Sequence, residues 1–350
     1  MTPTAQGARA MSEAFDDPSR LIDDFRGKYA FLSNFHRQAL TYDGLVYPSS
    51  EHAFNAAKTL DLAAAEQVRT AMTPAIAKRL GRRVALRDGW DATVRFEVMR
   101  AVLEAKFEDP DLRTRLLVTG TALLVEGTTW CDQVWGDCRC ETHRPWPGAN
   151  HLGRMEMDLR ARLRGDPAQT WTRAAVTGHR PQFFTPDQAT WAQDELERLA
   201  VKLRDQHGTQ IGISGASMGA DTWFARSTVH AGLDLWAYVP FLAQPIRWPA
   251  PDQKVWRTLL DRAARTLVLG DGYDVRLLHA RNDYMLRDAD LMIAVLDPAK
   301  TTGGTVSAVK KARAAGQALV VVNVVARRTH IERPVLAGTQ AVSAPRAPLG

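Results

Sequence analysis

The second half of the chain alternates between short apolar segments and longer segments with helical periodicity. Apolar segments typical of buried strands lie at residues 174–177, 210–214, 235–239, 266–269, 291–296 and 318–325. Helical patterns lie between them at residues 188–204, 220–231 and 306–315. Strands that alternate with helices pair in parallel, because each crossover helix returns the chain to the same end of the sheet. This half therefore predicts an α/β fold with a doubly wound parallel sheet.

The first half has a different pattern, which predicts an α+β fold that is mostly helical. Short strands are expected at residues 39–42 and 45–47, and helices at 51–65, 98–107, 112–117 and 155–163. The segment Arg164-Gly165-Asp166-Pro167-Ala168-Gln169 has the composition of a linker. We therefore expect a disordered start over residues 1–20, a first domain over 21–164, a linker over 165–171, a second domain over 172–326 and a flexible tail over 327–350.

Composition is that of an ordinary soluble protein, with 45% hydrophobic and 24% charged residues. No stretch approaches the roughly 20 apolar residues of a membrane span, and no basic start precedes an apolar core as in a secretory signal. Three cysteines argue against a disulfide framework, so a cytoplasmic protein is expected. The net charge of +6 is spread thinly, which disfavours a surface for duplex nucleic acid. The nearest basic cluster contains Lys78, Arg79, Arg82, Arg83 and Arg87, and is either a phosphate contact or a solvated helix face.

Short polar and aromatic motifs are scattered through the first half. Carboxylate, amide, aromatic and cationic groups are what a pocket needs to hold and hydrolyse a nucleotide-like sugar. Breaking a C1′–N bond passes through an oxocarbenium-like transition state that a carboxylate stabilises. Glu51 is the first candidate because it lies in the first turn of a predicted helix, where the helix dipole favours an ionised side chain, although capping alone also explains an acid there. Asp132 or Asp137 is its expected partner.

Seven further residues are predicted to bind the substrate. Trp90 can stack on the leaving base, or can be a core tryptophan. Asn34 and Asn150 can hold ribose hydroxyls or orient a carboxylate, or can serve turns. Arg95 and Lys106 are candidate phosphate contacts, and Lys106 can equally belong to a solvated helix face. The complete predicted set is Asn34, Phe35, Trp90, Arg95, Lys106, Trp135 and Asn150.

Residues 24–163 resemble the YbiA/NADAR family of N-glycosidases. The motifs that carry the resemblance, in order, are Ser33-Asn34-Phe35, Tyr47-Pro48-Ser49-Ser50-Glu51-His52-Ala53-Phe54, Asn55-Ala56-Ala57-Lys58, Gly81-Arg82, Trp90 with Val98-Met99-Arg100, Ala105-Lys106-Phe107, Trp135-Gly136-Asp137 and Asn150-His151-Leu152-Gly153. The resemblance implies cleavage of N-glycosidic bonds, either in a ribosylamino-pyrimidine phosphate of riboflavin synthesis or in ADP-ribose attached to guanine. It also implies that Glu51, Trp90 and the acid near Trp135-Gly136-Asp137 are active-site residues.

The loop from Cys138 to Gly148 departs from that family, whose members carry a shorter, glycine-rich, basic loop. Arg144 and Trp146 can reshape the entrance to the site, which leaves the substrate open. Cys131, Cys138, Cys140 and His143 can in principle ligate zinc. Because the Cys-x-Cys spacing differs from the usual Cys-x₂-Cys knuckle, we expect three free thiols and no metal.

Glycine-rich turns follow the predicted strands of the second half, and such turns let the backbone approach phosphate. These motifs, Thr177-Gly178-His179-Arg180, Ser214-Gly215-Ala216-Ser217-Met218-Gly219-Ala220-Asp221, Arg281-Asn282 and Thr302-Gly303-Gly304-Thr305, resemble the SLOG superfamily, closest to its YpsA-like branch. The predicted nucleotide-binding residues are Gly178, His179, Arg180, Ser214, Gly215, Ser217, Gly219, Asp221, Gly303, Gly304 and Thr305. Asp221 can contact a ribose or can buttress its helix. No acid follows Gly303-Gly304-Thr305, so the hydrolytic route of the phosphoribohydrolase branch is not expected.

Three hypotheses follow from these patterns. The leading one is a hydrolase of an ADP-ribosyl or ribosyl-phosphate compound, whose second domain binds a nucleotide such as NAD or ADP-ribose and which needs no cofactor. The second is a non-catalytic nucleotide sensor. The third is a repair enzyme that removes ADP-ribose from guanine in nucleic acid. The expected partners are a nucleotide or nucleotide sugar, ADP-ribosylated nucleic acid under the third hypothesis, no membrane, and a second copy of the chain in a homo-oligomer.

Overall fold

The computed structural model describes residues 21–143, 146–165 and 171–332. Contacts within the chain separate it into two compact units, Met1–Thr170 and Trp171–Gly350. The predicted disordered start, most of the predicted linker and most of the predicted tail lie outside the described residues. Among the helices described, none combines the length and the apolar character needed to cross a membrane.

The first unit is mostly helical. Its helices are α1 (Ser50–Ala56), α2 (Leu62–Arg69), α3 (Pro74–Gly81), α4 (Arg95–Lys106), α5 (Pro110–Val118) and α6 (His151–Arg164), with a single π-helical turn at Trp90–Val94. Three two-stranded sheets accompany them. β1 (Leu21–Ile22) pairs with β4 (Leu123–Leu124), β2 (Leu40–Tyr42) with β3 (Leu45–Tyr47), and β5 (Gly127–Thr128) with β6 (Asp137–Cys138). The predicted α+β class of this unit is confirmed.

The predicted single helix over residues 51–65 is wrong, because the segment forms two helices. α1 ends at Ala56, and α2 begins at Leu62. Asp61 caps the second helix by accepting hydrogen bonds from the backbone N–H groups of Ala63 and Ala64, at 2.9 and 3.1 Å. Every residue of α1 is buried, so the first helix is a core element rather than an amphipathic surface helix.

The second unit is built on a seven-stranded sheet. Its strands are β7 (Arg173–Gly178), β8 (Ile211–Ser214), β9 (Asp234–Phe241), β10 (Arg265–Gly270), β11 (Leu291–Leu296), β12 (Ala318–Asn323) and β13 (Arg328–Glu332), in the order β10-β9-β8-β7-β11-β12-β13. All pairs are parallel except β12 with β13. The predicted flexible tail is therefore wrong over residues 328–332, where an edge strand follows the turn in which the Asn323 side chain accepts from the N–H groups of Val325 and Ala326.

Five helices cover this sheet: α7 (Pro186–His207), α8 (Ala220–His230), α9 (Ala250–Arg262), α10 (Val275–Asp288) and α11 (Gly304–Ala314). α7 and α9 pack on α8, whereas α10 packs on α11. The central strands are buried along their length, for example at all four residues of β8. Because successive side chains of a strand point to opposite faces, continuous burial means that both faces are covered. The predicted parallel sheet with crossover helices is confirmed at this level.

Candidate active site

Glu51 lies in the first turn of α1, and its backbone is fixed from outside the helix. Its N–H donates to the backbone carbonyl of Asn34 at 3.0 Å. Its carboxylate accepts a hydrogen bond from the side-chain amide of Asn55, one turn further along, at 3.0 Å. A β-carbon on Gly81 would stand 2.4 Å from Oδ1 of Asn55, so the close approach of α3 to α1 requires glycine there. Glu51 is thus held at both its backbone and its carboxylate.

Lys78 provides the positive charge nearest to Glu51 in the described ion pairs. Its ammonium lies 4.0 Å from Oε1 of Glu51 and 5.2 Å from the centre of the Phe35 ring. Burial raises the pKa of Glu51, while the charge of Lys78 and the hydrogen bond from Asn55 oppose that rise. Glu51 is only 6% exposed. The balance between burial and the two opposing interactions therefore decides whether its carboxyl is ionised near neutral pH.

A second acid, Glu126, belongs to the same electrostatic group and was not singled out by its sequence pattern. It lies two residues after the end of β4, and its backbone N–H donates to Oδ1 of Asn150 at 3.0 Å. Burial, reinforced by the charges of Asp132 and Glu51, raises the pKa of Glu126 to about 7. The signal in the sequence is an acid placed immediately after the apolar run 122–125.

Glu126 and Lys78 line a cavity of about 860 Å³. The cavity lies where β1 and β4 end, and because these two strands are parallel, their carboxyl ends meet at one edge. The wall carries three aromatic residues, Phe25, Phe35 and Trp130. It also carries basic and polar side chains, namely Arg26, Ser33, His36, Arg37, Lys78 and Arg82. Such a wall combines cations for phosphate with rings for a base.

The two other predicted catalytic acids occupy different environments. Asp132 accepts hydrogen bonds from the N–H groups of Val134 and Trp135 at 3.0 and 2.8 Å, and its charge acts on both Glu51 and Glu126. Asp137 is buried and accepts from the N–H of Gly148 at 2.8 Å. A β-carbon on Gly148 would lie 2.0 Å from the carbonyl of Gly136, so Asp137 secures a close chain crossing. The charge of Asp132 thus acts on both glutamates, whereas the described hydrogen bond of Asp137 is to the backbone at a chain crossing, and its catalytic role stays a prediction.

The prediction that Lys106 contacts phosphate, and its alternative of a solvated helix face, are both wrong. Lys106 is 2% exposed, and its ammonium donates to the carbonyls of Leu32 and Ser33 at 2.9 and 3.2 Å. Oε1 of Glu156 lies 3.8 Å away. Burial lowers the pKa of Lys106 and raises that of Glu156. Lys106 therefore anchors the segment that leads into Asn34 and Phe35.

Trp90 and Asn150 also lie in the core rather than at the cavity. Trp90 is 4% exposed and packs against Phe54 with ring centres 5.2 Å apart, which fits the core-tryptophan alternative. Asn150 donates to the carbonyl of Leu124 at 2.8 Å besides accepting from Glu126. The described contacts of these two side chains are structural, Asn150 fixes the backbone of an acid, and their contact with substrate stays a prediction.

Trp135, Arg95 and Asn34 surround the site without lining the cavity. Trp135 packs edge-on to Phe54, with ring centres 5.3 Å apart. Arg95 lies 3.6 Å from Asp91 and over the Phe96 ring. The side-chain oxygen of Asn34 is buried and has no hydrogen-bond partner among the described residues. Of the seven predicted substrate contacts, Phe35 is the one that lines the described cavity.

The altered loop brings its three cysteines together. The sulfur atoms of Cys131, Cys138 and Cys140 and a ring nitrogen of His143 all lie within 4.8 Å of one another. All three cysteines are free thiols, as expected, although the fold brings them close together. Arg144 lies outside the described residues.

The second unit contains a cavity of about 700 Å³ at the carboxyl ends of β7 and β11. These strands are neighbours in the sheet although they are far apart in the sequence, so the strand order reverses between them. Ligands of open α/β sheets bind at such a switch point. Predicted residues that line the cavity are Gly178, His179, Arg180, Ser217, Asp221, Gly303, Gly304 and Thr305.

The other predicted residues of this unit shape the loop behind the cavity. Ser214 donates to the carbonyl of Asp221 at 2.7 Å. A β-carbon on Gly215 would lie 2.2 Å from the Arg281 guanidinium, and Gly219 has a φ of +96°. The glycines therefore allow a close approach and a left-handed turn.

Arg281 holds this loop in place. Its guanidinium donates to the carbonyl of Gly215 at 2.7 Å and to the hydroxyl of Ser217 at 2.8 Å, and lies 3.2 Å from Oδ2 of Asp221. Both partners of that ion pair are buried. The contact favours the buttressing role of Asp221 over the predicted ribose contact.

Two helix N-termini and a buried imidazole face this cavity. α8 begins at Ala220 just after Ser217 and Met218, and α11 begins at Gly304 after Gly303, whose φ is +105°. Exposed N–H groups and the helix dipole favour anions at such positions. His179 is 6% exposed, and its Nε2 has no hydrogen-bond partner within the described part of the chain. Burial lowers the pKa of this imidazole.

The match to a protein family lies in the first unit. Residues 22–164 match the NADAR domain. The N-glycosidase YbiA of Escherichia coli is 41% identical over 138 residues, which cover 39% of this chain and 82% of YbiA. The chain belongs to the NADAR family. Homologues named N-glycosidases confirm the expectation of a hydrolase of glycosidic bonds.

Two further similarities accompany this NADAR match. A riboflavin biosynthesis protein of Vibrio vulnificus is 37% identical over 138 residues, 39% of this chain and 36% of that protein. The NMR structure of Escherichia coli YbiA aligns with a TM-score of 0.37 and 36% identity, over 43% of this chain and 92% of that one. The NADAR match ends at residue 164, so the SLOG assignment of the second unit stays a prediction.

Proposed function

We propose that the first unit hydrolyses the N-glycosidic bond of a ribosyl-phosphate or ADP-ribosyl compound in the cavity lined by Glu126 and Lys78. The observation that carries this proposal is that the charge of one lysine, Lys78, acts on two acids, the buried Glu51 and the half-buried Glu126, beside an aromatic and basic cavity. Neighbouring carboxyls whose pKa values are shifted by their environment are typical of acid–base catalysis.

Glu51 and Glu126 have different roles in the reaction because their environments differ. Glu51, compensated by Lys78 and Asn55, is the carboxylate that stabilises the oxocarbenium-like transition state, orients the attacking water and accepts the proton that this water loses. Glu126, with a pKa of about 7, carries a proton in a substantial fraction of molecules at neutral pH and donates it to the departing base. Asp132 adds negative charge near both and keeps the pKa of Glu126 high.

The cavity wall supplies the recognition. Arg26, Arg37 and Arg82 fit phosphate groups, because a guanidinium binds phosphate through paired hydrogen bonds. Phe35 and Trp130 are half-exposed rings that can stack on a base. This combination supports a phosphorylated nucleoside-like substrate, such as a ribosylamino-pyrimidine phosphate or ADP-ribosylated guanine.

The experiment is a product screen by mass spectrometry. The full chain is incubated separately with NAD, ADP-ribose, a ribosylamino-pyrimidine phosphate and a guanine-ADP-ribosylated oligonucleotide. Glu51→Gln and Glu126→Gln are compared with Glu104→Gln, an exposed glutamate paired with Arg162 on the surface. We expect the wild type and Glu104→Gln to release a free base or free ADP-ribose from one substrate, and the two site variants to lose at least about 100-fold in rate. Binding of these compounds without turnover would replace the hydrolase with the sensor hypothesis.

We further propose that the second unit binds the phosphates of a nucleotide such as NAD or ADP-ribose. Support comes from the cavity at the switch point, the N-termini of α8 and α11, and the cationic side chains of Arg180 and Lys300 on its wall. Titration calorimetry with ADP-ribose and NAD tests this proposal. Absence of binding by a chain that still turns over its substrate would remove the second site while leaving the first.

A further inference from the structure

The loop between β5 and β6 and its continuation to His143 gather four soft donor atoms in one place. Cys131 Sγ lies 3.8 Å from Cys140 Sγ, and Cys140 Sγ lies 3.1 Å from Nδ1 of His143. These three donor atoms and the Sγ of Cys138 all lie within 4.8 Å of one another. Three thiolates and one imidazole are a ligand set typical of structural zinc.

The distances fit a tetrahedral metal better than a disulfide. With zinc–sulfur bonds of about 2.3 Å, two sulfurs at tetrahedral corners stand about 3.8 Å apart, which is the separation of Cys131 and Cys140. A disulfide would place these two sulfurs about 2.05 Å apart. It would not account for the position of Cys138 and His143 beside them. The sulfur-to-imidazole contact is a few tenths of an ångström shorter than the roughly 3.6 Å of a zinc tetrahedron, so a small outward shift of His143 accommodates the ion.

The backbone is arranged around the sulfur of Cys138 in a way that supports a thiolate. Cys138 is 2% exposed, and its Sγ accepts hydrogen bonds from the N–H groups of Cys131 and Cys140, at 3.2 and 3.5 Å. Such outer hydrogen bonds orient metal ligands and stabilise their charge. Cys131 has a φ of +65°, a conformation that a residue with a side chain rarely adopts. A bound ion would explain why the chain accepts that conformation.

We infer that Cys131, Cys138, Cys140 and His143 bind one structural Zn²⁺. The ion replaces the thiol protons, which are released to solvent when the thiolates bind. Cys131 is preceded by Trp130, which lines the cavity, and is followed by Asp132, whose charge acts on Glu51 and Glu126. The zinc site therefore fixes the segment that joins the cavity wall to the acidic group, a consequence that rests on the proposed function, whereas metal binding itself does not.

Metal content of the full chain is the direct test. The protein is purified without chelator and its zinc is measured by elemental mass spectrometry, and metal-free reduced protein is then titrated with Co²⁺. We expect about one zinc per chain and the intense thiolate-to-Co²⁺ charge-transfer absorption of a sulfur-rich tetrahedral site. Cys140→Ser and His143→Gln should lower the affinity for Co²⁺ at least about tenfold.

The control is His230→Gln, a matched change at an exposed histidine of the second unit, which should bind metal like the wild type. If a cysteine variant fails to fold, the Co²⁺ spectrum of the wild type still decides the question. Reduced wild-type protein that contains no zinc and develops no charge-transfer band would overturn the inference. So would an intact mass showing that Cys131 and Cys140 form a disulfide in the purified chain. Neither outcome depends on whether the substrate of the first unit has been identified.

Discussion

The ammonium of Lys78 lies 4.0 Å from the buried carboxylate of Glu51 while it also lines the cavity that Glu126 reaches. One lysine therefore acts on both acids, since its charge lowers the pKa of Glu51 and of Glu126 against the raising effect of burial. Of the basic cluster noted in the sequence, Lys78 and Arg82 lie in the cavity wall.

The pH dependence of hydrolysis should depend on the charge of Lys78. With Glu51 active as a carboxylate and Glu126 active when protonated, kcat/KM should rise with pH as Glu51 ionises and fall as pH passes through about 7, where Glu126 loses its proton. Lys78→Met removes a charge that lowers both pKa values, so both limbs should move to higher pH. Arg79→Met, an exposed neighbour on α3, should leave the profile in place. A profile of Lys78→Met shifted to lower pH would contradict this assignment.

Gly81→Ala should disturb the packing of α3 on α1 and, through Asn55, the position of the Glu51 carboxylate. The new β-carbon would meet Asn55 at 2.4 Å, so either α3 moves away from α1 or Asn55 releases Glu51. Overpacking of this kind costs about 1–3 kcal/mol of unfolding free energy. Gly272→Ala is the control, because nothing lies within 4 Å of its β-carbon. Urea denaturation measures the cost, and equal stability of the two variants would show that Asn55 is not confined.

The buried pair of Lys106 and Glu156 should be strongly coupled. Lys106→Met leaves a fully buried carboxyl without its cation and should cost about 3–5 kcal/mol of unfolding free energy. The double variant Lys106→Met with Glu156→Leu should recover a large part of that loss. The exposed pair of Glu104 and Arg162 should contribute at most about 1 kcal/mol, so Glu104→Gln serves as the reference. Additive losses in the double-mutant cycle would argue against direct coupling.

Arg180→Gln should weaken nucleotide binding by the second unit. A charge-assisted hydrogen bond to phosphate contributes about 1.5–3 kcal/mol, so affinity for ADP-ribose should fall at least about tenfold. The salt dependence of binding should also decrease, because one fewer cation faces the phosphates. Arg226→Gln, an exposed arginine on α8, is the matched control. Calorimetry that finds equal affinities for the two variants would exclude Arg180 from the site.

The strands of the second unit were predictable because their burial on both faces leaves long apolar runs, as at residues 291–296, where prediction and structure coincide. The break between α1 and α2 was not predictable, because the Ala-rich segment continues a helical pattern. Only the Asp61 cap interrupts that pattern. α9 and α10 were not singled out from the sequence, although both are amphipathic. β13 was missed because an edge strand with exposed residues has no apolar run.

Some residues of the candidate site were also predictable from the sequence, and others were not. Glu51 and Phe35 stood within recognisable motifs. Lys106 and Trp90 stood in motifs too, yet the fold buries them, because a motif records packing as well as chemistry. Glu126 had no motif, since its importance comes from the pairing of β1 with β4, a contact between segments that are distant in the chain.

That pairing also bears on when a newly made chain becomes active. The first described residues pair with Leu123 and Leu124, and only this closure sets the wall around Asp24 and Arg26 beside Glu126. Contacts between such distant segments form late, since the loop they close must be ordered first. A nascent chain released only as far as α5 would already contain Glu51 and Lys78 but no second acid. The first unit therefore acquires its second acid only after it has folded almost completely.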